Sequence, residues 1–229
     1  MSNVVLVLLC KRPALGIGKQ RLAASLGMEL AQQVADALLA CALEDTCNWP
    51  GPVIIAPANQ EDMEWVQALS VPTNFPVTAL PQVAGNLGQR LNALDQALRA
   101  QGMEQLVFIG SDAPGLTSVD YEATCAALRY HDVVLIPALD GGVVLMANRC
   151  AWPDLAALPW SSNRLGLSLM DICRNTGQSV MTIKQGRDVD ELKDLLALTG
   201  LLRQDKRPAR RALLELVHKI TSSTKIPYG

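Results

Sequence analysis

The residues best suited to chemistry begin with a cationic loop, "KRPALGIGKQRL", which follows the first apolar segment of the chain. Its positive side chains and glycines are Lys11, Arg12, Gly16, Gly18, Lys19 and Arg21. Neighbouring cations repel one another unless an anion lies among them, and glycines let backbone amides approach such a ligand closely. The phosphates of a nucleotide fit this description. A solvated basic loop is the alternative that composition leaves open.

A carboxylate follows a second apolar segment in the stretch "QLVFIGSDAPGLTSVD". The run 106–109 is bounded by glycine and proline, which is typical of a buried strand. The helix predicted after it has its own capping box, formed by Thr117 and Asp120, so Asp112 is not needed as a cap. A carboxylate at the carboxyl end of a buried strand points to where open α/β sheets bind ligands.

A further carboxylate lies in "GRDVDELKDL". The spacing of Asp188 and Glu191 predicts a cap pair for the last helix of the pattern, which leaves Asp190 free. Asp112 and Asp190 at separate strand ends suit Mg²⁺, which takes few protein ligands and leaves the rest to phosphate and water. Taken singly, each aspartate is also explained as a loop or cap residue.

Two glycine-containing stretches are compatible with either a binding role or a purely structural one. "QVAGNLGQRL" places Gln82, Gly88 and Arg90 before a helix, where they would hold a nucleobase or phosphate, or simply make a turn. "ALDGGVVLM" places Asp140, Gly141 and Gly142 between two apolar runs. Asp-Gly in that setting is the strongest short-range hairpin signal, so a substrate-binding role for this triplet competes with a purely structural one.

The elements that must position these residues alternate along the chain. Apolar runs predict strands near 3–10, 52–57, 76–80, 106–109, 132–139, 143–146 and 179–184, and periodic segments predict helices near 28–43, 60–69, 91–100, 119–129, 165–175 and 191–202. This alternation predicts a three-layer α/β/α sandwich with a mainly parallel sheet and one antiparallel hairpin strand. We expect residues 1–204 to form one nucleotide-binding domain and 205–229 a basic tail, a solvated terminal helix rather than a partner-binding segment.

Composition narrows the function classes. The 229 residues are 49% apolar and 18% charged, as in a folded globular protein. Aromatic residues make up only 4% and the net charge is −2, which argues against a nucleic-acid partner. The first apolar run lacks the basic start and the small-residue cleavage site of a signal peptide, and no run is long enough for a membrane span. Because it has neither feature, we expect a cytoplasmic protein. The six cysteines lack the C-x-x-C spacing of zinc sites.

The motifs then match a known pattern in order. "KRPALGIGKQRLAASLG", "GNLGQRL", "GSDAPGLT", "PALDGG", "PW" at 159–160 and "DVDELKDL" occur along residues 3–199. With these motifs the sequence resembles the glycosyltransferase-like proteins called selenodomain-associated transferases, of the nucleotide-diphospho-sugar transferase superfamily. It is more distantly similar to 2-phospholactate guanylyltransferase and molybdenum-cofactor guanylyltransferase.

The resemblance implies a GT-A fold and a nucleotide site on the amino-terminal half. By analogy, Lys19 and Arg21 would contact phosphates, and Asp112 and Asp190 would hold a divalent metal. The chain departs from the pattern at Gln20, where the family usually has threonine. It departs again after Asp-Gly-Gly, where Val143 and Val144 replace aromatic residues.

These inferences lead to an expected function. We expect a transferase with Mg²⁺ or Mn²⁺ as cofactor, a nucleotide or nucleotide-sugar as partner, and a small-molecule acceptor. The expected catalytic residues are Lys19, Arg21 and Asp112, and the expected nucleotide contacts add Lys11, Gly16, Gln82, Gly88 and Arg90. Glycosyl transfer from a nucleotide-diphospho-sugar ranks first. Nucleotidyl transfer from a nucleoside triphosphate and nucleotide binding without turnover are the alternatives.

Overall fold

A mixed β-sheet of seven strands forms the centre of the computed structural model, which describes residues 4–69 and 71–223. The strands are β1 (Val4–Cys10), β2 (Val53–Pro57), β3 (Val77–Ala79), β4 (Gln105–Gly110), β5 (Val133–Pro137), β6 (Val143–Asn148) and β7 (Val180–Thr182). Their order across the sheet is β3-β2-β1-β4-β6-β5-β7. Every predicted strand is present.

The antiparallel strand lies inside the sheet. β6 pairs antiparallel with both β4 and β5, and the other neighbouring strands pair parallel. The Asp-Gly-Gly stretch forms the predicted hairpin between β5 and β6. The hairpin strand therefore divides the sheet into a parallel unit of β3, β2, β1 and β4 and a second unit beyond it.

Helices cover both faces of the sheet. They are α1 (Gln20–Leu26), α2 (Met28–Cys47), α3 (Met63–Ala68), α4 (Leu87–Ala100), α5 (Ser118–Ala127), α6 (Leu165–Asn175), α7 (Leu192–Leu201) and α8 (Pro208–Ser223). Alternate residues of β1 face opposite sides, as the pleat requires. Leu6 and Leu8 join the core on the side of α2 and α5, whereas Val5 and Val7 join the core on the side of α4 and α6. The three-layer α/β/α prediction is confirmed.

The start of α4 corrects one predicted boundary. The helix begins at Leu87, four residues before the expected position, because Asn86 and Gln89 form a capping box. The Asn86 side chain accepts from the Gln89 amide at 3.0 Å, and the Gln89 side chain accepts from the Asn86 amide at 2.9 Å. The glycines around this start masked the capping signal in the sequence.

The basic tail is not a solvated helix, so that expectation is wrong. α8 packs against α2 and α7 and buries Leu213, Val217 and Ile220. These residues recur at spacings of four and three, the stripe of a helix that covers a core. The five arginine and lysine residues between positions 203 and 211, just before the stripe, hide it in the sequence. The last six residues of the predicted tail, 224–229, lie outside the described residues.

Among the described helices, none combines the length and the apolar composition that a membrane span requires.

A buried arginine joins α8 to the rest of the molecule. Arg210 is fully buried and donates to the carboxylates of Asp45 at 2.6 Å and Glu44 at 2.9 Å. Its remaining N–H groups donate to the carbonyls of Pro114, at 3.2 Å, and Cys41. Pro114 lies in the loop after β4, so this side chain also supports the loop that carries Asp112.

We expect Arg210→Ala to lower the free energy of unfolding by about 3 kcal/mol or more, because it leaves buried carboxylate and carbonyl groups without their donor. Arg211→Ala is the matched control: the neighbouring residue is exposed, and its loss should cost less than about 0.5 kcal/mol. Urea unfolding of both variants measures the difference. Equal losses would show that the buried network does not stabilise the protein.

Candidate active site

A cleft opens where the chain connections of two neighbouring strands diverge. β1 leads to β2 on one side, and β4 adds to the other side of β1, so the loops after Cys10 and Gly110 separate. Open α/β sheets bind ligands at such a point, outside the carboxyl ends of the strands. The cleft has a volume of about 590 Å³, within the range of small-molecule sites.

The cleft brings together six of the residues that the sequence predicted for the site. Those that line it are Lys11, Lys19, Gln82, Arg90, Asp112 and Asp190. They come from four separate segments: the first loop, the stretch around α4, the loop after β4, and the segment before α7. Their convergence at one sheet edge explains why residues so far apart in sequence form one site.

Lys19 is the centre of the site. Its ammonium donates to the carbonyl of Val189 at 2.5 Å, to Asp190 Oδ1 at 3.2 Å and to Asp112 Oδ2 at 3.4 Å. The lysine side chain is 14% exposed. Burial acts to lower the pKa of Lys19, but the carboxylates of Asp112 and Asp190 outweigh it and raise the pKa above its ordinary value. Lys19 is therefore a fixed positive charge between two carboxylates.

The position of Asp112 follows from the backbone around it. A Cβ at Gly110 would lie 2.7 Å from Asp112 Oδ1, so a side chain at this position would displace the carboxylate from where it lies. The Asp112 carbonyl also accepts from the Val189 amide at 2.9 Å. This backbone bond ties the segment before α7 to the end of β4 and brings Asp190 to the same place.

Asp188 lines the cleft, a position that the sequence analysis did not predict. The expected Asp188–Glu191 cap pair is wrong, because α7 is capped by Glu191 with Asp194, whose Oδ2 accepts from the Glu191 amide at 2.8 Å. Asp188 lines the cleft instead. Burial, reinforced by the negative charges of Asp140 and Asp112, raises the pKa of Asp188 to about 6. The Glu191-x-x-Asp194 spacing also predicts a capping box, and this signal in the sequence assigns no capping role to Asp188.

The first loop supplies unpaired positive charge. Lys11 and Arg12 line the cleft and are exposed, and neither side chain has a hydrogen bond or ion pair with the described part of the chain. Gly16 does not line the cleft; its positive φ of 74° allows the turn in which the Ile17 amide donates to Ala14 O at 3.0 Å. The loop therefore presents two cations that no anion among the described residues neutralises.

Other predicted residues have mainly supporting positions. Gln82 is buried and donates to Ala56 O at 2.8 Å, and Arg90 Nε donates to Gly85 O at 2.8 Å; both side chains still line the cleft. Arg21 is 63% exposed, lies outside the lining, and approaches Asp190 only to 3.9 Å.

Gly88 allows close packing rather than lining the cleft. A Cβ at this position would lie 2.1 Å from Leu155 O and 2.7 Å from Trp160 Nε1. Its absence lets the start of α4 pack against the segment that carries Trp160. Trp160 itself lines the cleft and donates from Nε1 to Leu155 O at 2.9 Å. The sequence analysis therefore predicted the right segment, but Gly88 packs that segment against its neighbour and does not face the cleft.

The Asp140–Gly142 triplet forms the β-hairpin and does not line the cleft. Asp140 Oδ1 accepts from the Gly142 amide at 2.9 Å and so stabilises the turn. A Cβ at Gly141 would lie 2.0 Å from Asn163 O, which explains the glycine. The structure therefore favours the structural interpretation of this triplet over contact with substrate.

The oxygen atoms around Lys19 are of the type that a divalent metal prefers. Among the described residues, no group of three or more histidine, cysteine or acidic side chains has the arrangement of a metal site. Two carboxylates, from Asp112 and Asp190, nevertheless meet at one cation position together with the carbonyl of Val189. Two carboxylates and one carbonyl are enough protein ligands for Mg²⁺ or Mn²⁺ in a site where phosphate and water complete the coordination.

Sequence comparison identifies the family. The model of the bacterial family described as "Uncharacterized protein conserved in bacteria (DUF2064)" matches residues 38–162, more than half of the chain. The chain belongs to this family. No curated protein shows significant sequence similarity to it.

Solved structures confirm the type of fold. A "putative nucleotide-diphospho-sugar transferase" from Desulfovibrio desulfuricans G20 superposes with a TM-score of 0.83 at 21% identity, covering 96% of this chain and 99% of the other. A CMP:2-keto-3-deoxy-manno-octonic acid synthetase complexed with CTP has a TM-score of 0.52 at 14% identity, covering 89% and 100%. A 4-diphosphocytidyl-2C-methyl-D-erythritol synthase from Anaerococcus prevotii DSM 20548 has a TM-score of 0.51 at 10% identity, covering 89% and 100%. The chain thus has the nucleotide-diphospho-sugar transferase fold.

We expect Asp112→Asn to leave the free energy of unfolding almost unchanged in the absence of metal, within about 1 kcal/mol. Its ion pair with Lys19 is 3.4 Å long and its side chain is 39% exposed, so solvent screens the interaction. Urea unfolding in the presence of a chelator measures this value. A loss of several kcal/mol would mean that Asp112 serves the fold and not a ligand.

Proposed function

We propose that this chain is a transferase that binds a nucleotide-diphospho-sugar in the cleft and transfers the glycosyl group to a small-molecule acceptor. One observation carries the proposal: the cleft at the end of β1 and β4 combines the unpaired cations Lys11 and Arg12 with the carboxylates of Asp112 and Asp190. Cations suit the phosphates of a nucleotide, and paired carboxylates suit the metal that accompanies them. The nucleotide-diphospho-sugar transferase fold supports the same conclusion.

The first loop would bind the diphosphate. Lys11 and Arg12 lie at the carboxyl end of β1, and Arg90 reaches the cleft from α4. Asp112 and Asp190 would hold Mg²⁺ or Mn²⁺. When bound, such an ion neutralises phosphate oxygens and stabilises the charge of the departing diphosphate.

The remaining walls would hold the nucleobase and the sugar. Gln82, fixed by its bond to Ala56 O, presents an amide side chain on the side of β2. Val143, Met146 and Trp160 form an apolar wall on the side of β6. The small valine, in place of an aromatic residue, leaves space on this side for the sugar or the acceptor.

The chemical step places negative charge where the protein holds positive charge. In glycosyl transfer, the bond from the anomeric carbon to the diphosphate oxygen breaks. The acceptor hydroxyl releases its proton to water, and its oxygen forms a bond to that carbon. The electron pair of the broken bond stays on the diphosphate. Lys11, Arg12 and Lys19 lie on the cleft and would stabilise that charge, the largest single source of catalysis in many enzymes.

Nucleotidyl transfer is the second candidate. The same cations would hold a nucleoside triphosphate, the acceptor would attack the α-phosphorus, and pyrophosphate would leave. The fold of a synthetase complexed with CTP supports this candidate. Both reactions use the same phosphate site and differ in the bond that breaks.

Binding and product analysis test the proposal. A thermal-shift screen compares nucleoside diphosphates, triphosphates and nucleotide-diphospho-sugars, each with Mn²⁺ and with chelator. A ligand at one hundred times its Kd adds about 2.7 kcal/mol of stability, so moderate affinities are visible. The bound nucleotide is then incubated with a small-molecule extract, and the products are identified by mass spectrometry. Release of nucleoside diphosphate supports glycosyl transfer, and release of pyrophosphate supports the second candidate. Nucleotide binding without either product contradicts both.

We expect Lys11→Ala to weaken nucleotide binding about ten- to a hundredfold, because a charge-assisted contact to phosphate contributes about 1.5–3 kcal/mol. Lys206→Ala removes the same charge from an exposed position before α8 and should leave the affinity unchanged. Calorimetry at constant salt compares the two variants. Equal effects would mean that only net charge matters and that the loop binds no phosphate.

A further inference from the structure

Three oxygen atoms surround the Lys19 ammonium in the described structure. They are Val189 O at 2.5 Å, Asp190 Oδ1 at 3.2 Å and Asp112 Oδ2 at 3.4 Å. The lysine therefore occupies the point at which the two carboxylates approach each other. A divalent metal bound by the same carboxylates would need that point, since the oxygen ligands of Mg²⁺ lie about 2.0–2.1 Å away.

The backbone holds Lys19 at this point under strain. Lys19 is the amino-terminal cap of α1 and has φ 47° and ψ 38°, in the left-handed region. Among the residues that the structure describes, only Ser161 is a second non-glycine residue with positive φ. Such conformations are unfavourable for residues with a Cβ and persist where the surroundings impose them, often at functional sites.

We propose that Lys19 is a built-in counter-cation that gives up its position when a divalent cation binds. In the metal-free site its ammonium neutralises Asp112 and Asp190. With a divalent ion present, Asp112 and Asp190 would hold the ion, and the Lys19 ammonium would leave them and point further into the cleft that it lines. This second step rests on the proposed function, because the phosphate of the nucleotide is then the anion that Lys19 contacts.

Two consequences follow from the competition. The metal alone binds weakly, because it must displace an ammonium that has three oxygen partners. The metal and the nucleotide bind cooperatively, because the displaced Lys19 gains a phosphate partner only when the nucleotide is present. Lys19 is thus a positioning residue in the metal-free protein and a phosphate ligand in the loaded one.

Calorimetry with Mn²⁺ alone tests the competition without any assay of activity. Lys19→Met keeps the length of the side chain and removes its charge. We expect this variant to bind Mn²⁺ about tenfold more tightly than the unchanged protein, because the carboxylates lose their competing cation. With Mn²⁺ saturating, the same variant should bind a nucleoside diphosphate at least about tenfold more weakly.

Lys193→Met is the matched control. Lys193 lies in the first turn of α7, pairs with Glu191 at 3.0 Å and is 76% exposed, so its loss removes a nearby charge without opening the site. We expect its Mn²⁺ affinity to change less than about twofold. Should Lys19→Met fail to fold, Lys19→Gln retains a donor for Val189 O and permits the same comparison.

The possible outcomes separate this inference from the proposed function. Unchanged or weaker Mn²⁺ binding by the Lys19 variant, while the unchanged protein binds Mn²⁺ and nucleotide, overturns the counter-cation role alone. No Mn²⁺ binding by any variant overturns the metal site itself. An equal gain in Mn²⁺ affinity in Lys19→Met and Lys193→Met shows a general charge effect and also overturns the inference.

Discussion

The contact between Lys19 and the carboxylates of Asp112 and Asp190 is the interaction on which the site depends. It joins three segments that are distant in sequence: the loop after β1, the loop after β4 and the segment before α7. The backbone bond from the Val189 amide to Asp112 O holds the segment of Asp190 against the loop of Asp112. Much of the surrounding architecture, including the glycine at the end of β4, serves to place these charged groups together.

The fold explains why this site lies where it does. β1 is the strand at which the chain reverses its direction of travel across the sheet, so the loops after β1 and β4 separate and leave a cleft. β6 closes the other side of the cleft because the hairpin inserts it, antiparallel, next to β4. α8 supports the base of the site from behind, since Arg210 binds both α2 and the loop after β4. The loop after β4 therefore contributes both to the geometry of the candidate site and to the buried contacts of the fold.

Sequence patterns predicted most of the fold, because alternating apolar strands and periodic helices specify layers through burial alone. They also predicted Lys19, Asp112 and Asp190 as candidate site residues, and the structure brings these three side chains together at the cleft. Asp188 and the packing of α8 were missed for a physical reason. Capping spacings overlap at Asp188-x-x-Glu191 and Glu191-x-x-Asp194, and the helix uses the second of the two. The basic residues of α8 predict a solvated helix. In the structure, the buried carboxylate of Asp45 accepts a hydrogen bond from Arg210 and so allows this arginine to be buried.

A crystal structure of the protein with a nucleoside diphosphate and Mn²⁺ tests the central claim most directly. The account predicts phosphate oxygens in contact with Lys11 at the carboxyl end of β1, and an anomalous Mn²⁺ signal between the phosphates and the carboxylates of Asp112 and Asp190. A nucleotide bound elsewhere on the molecule, or bound in the cleft with its phosphates away from the first loop, would contradict the account.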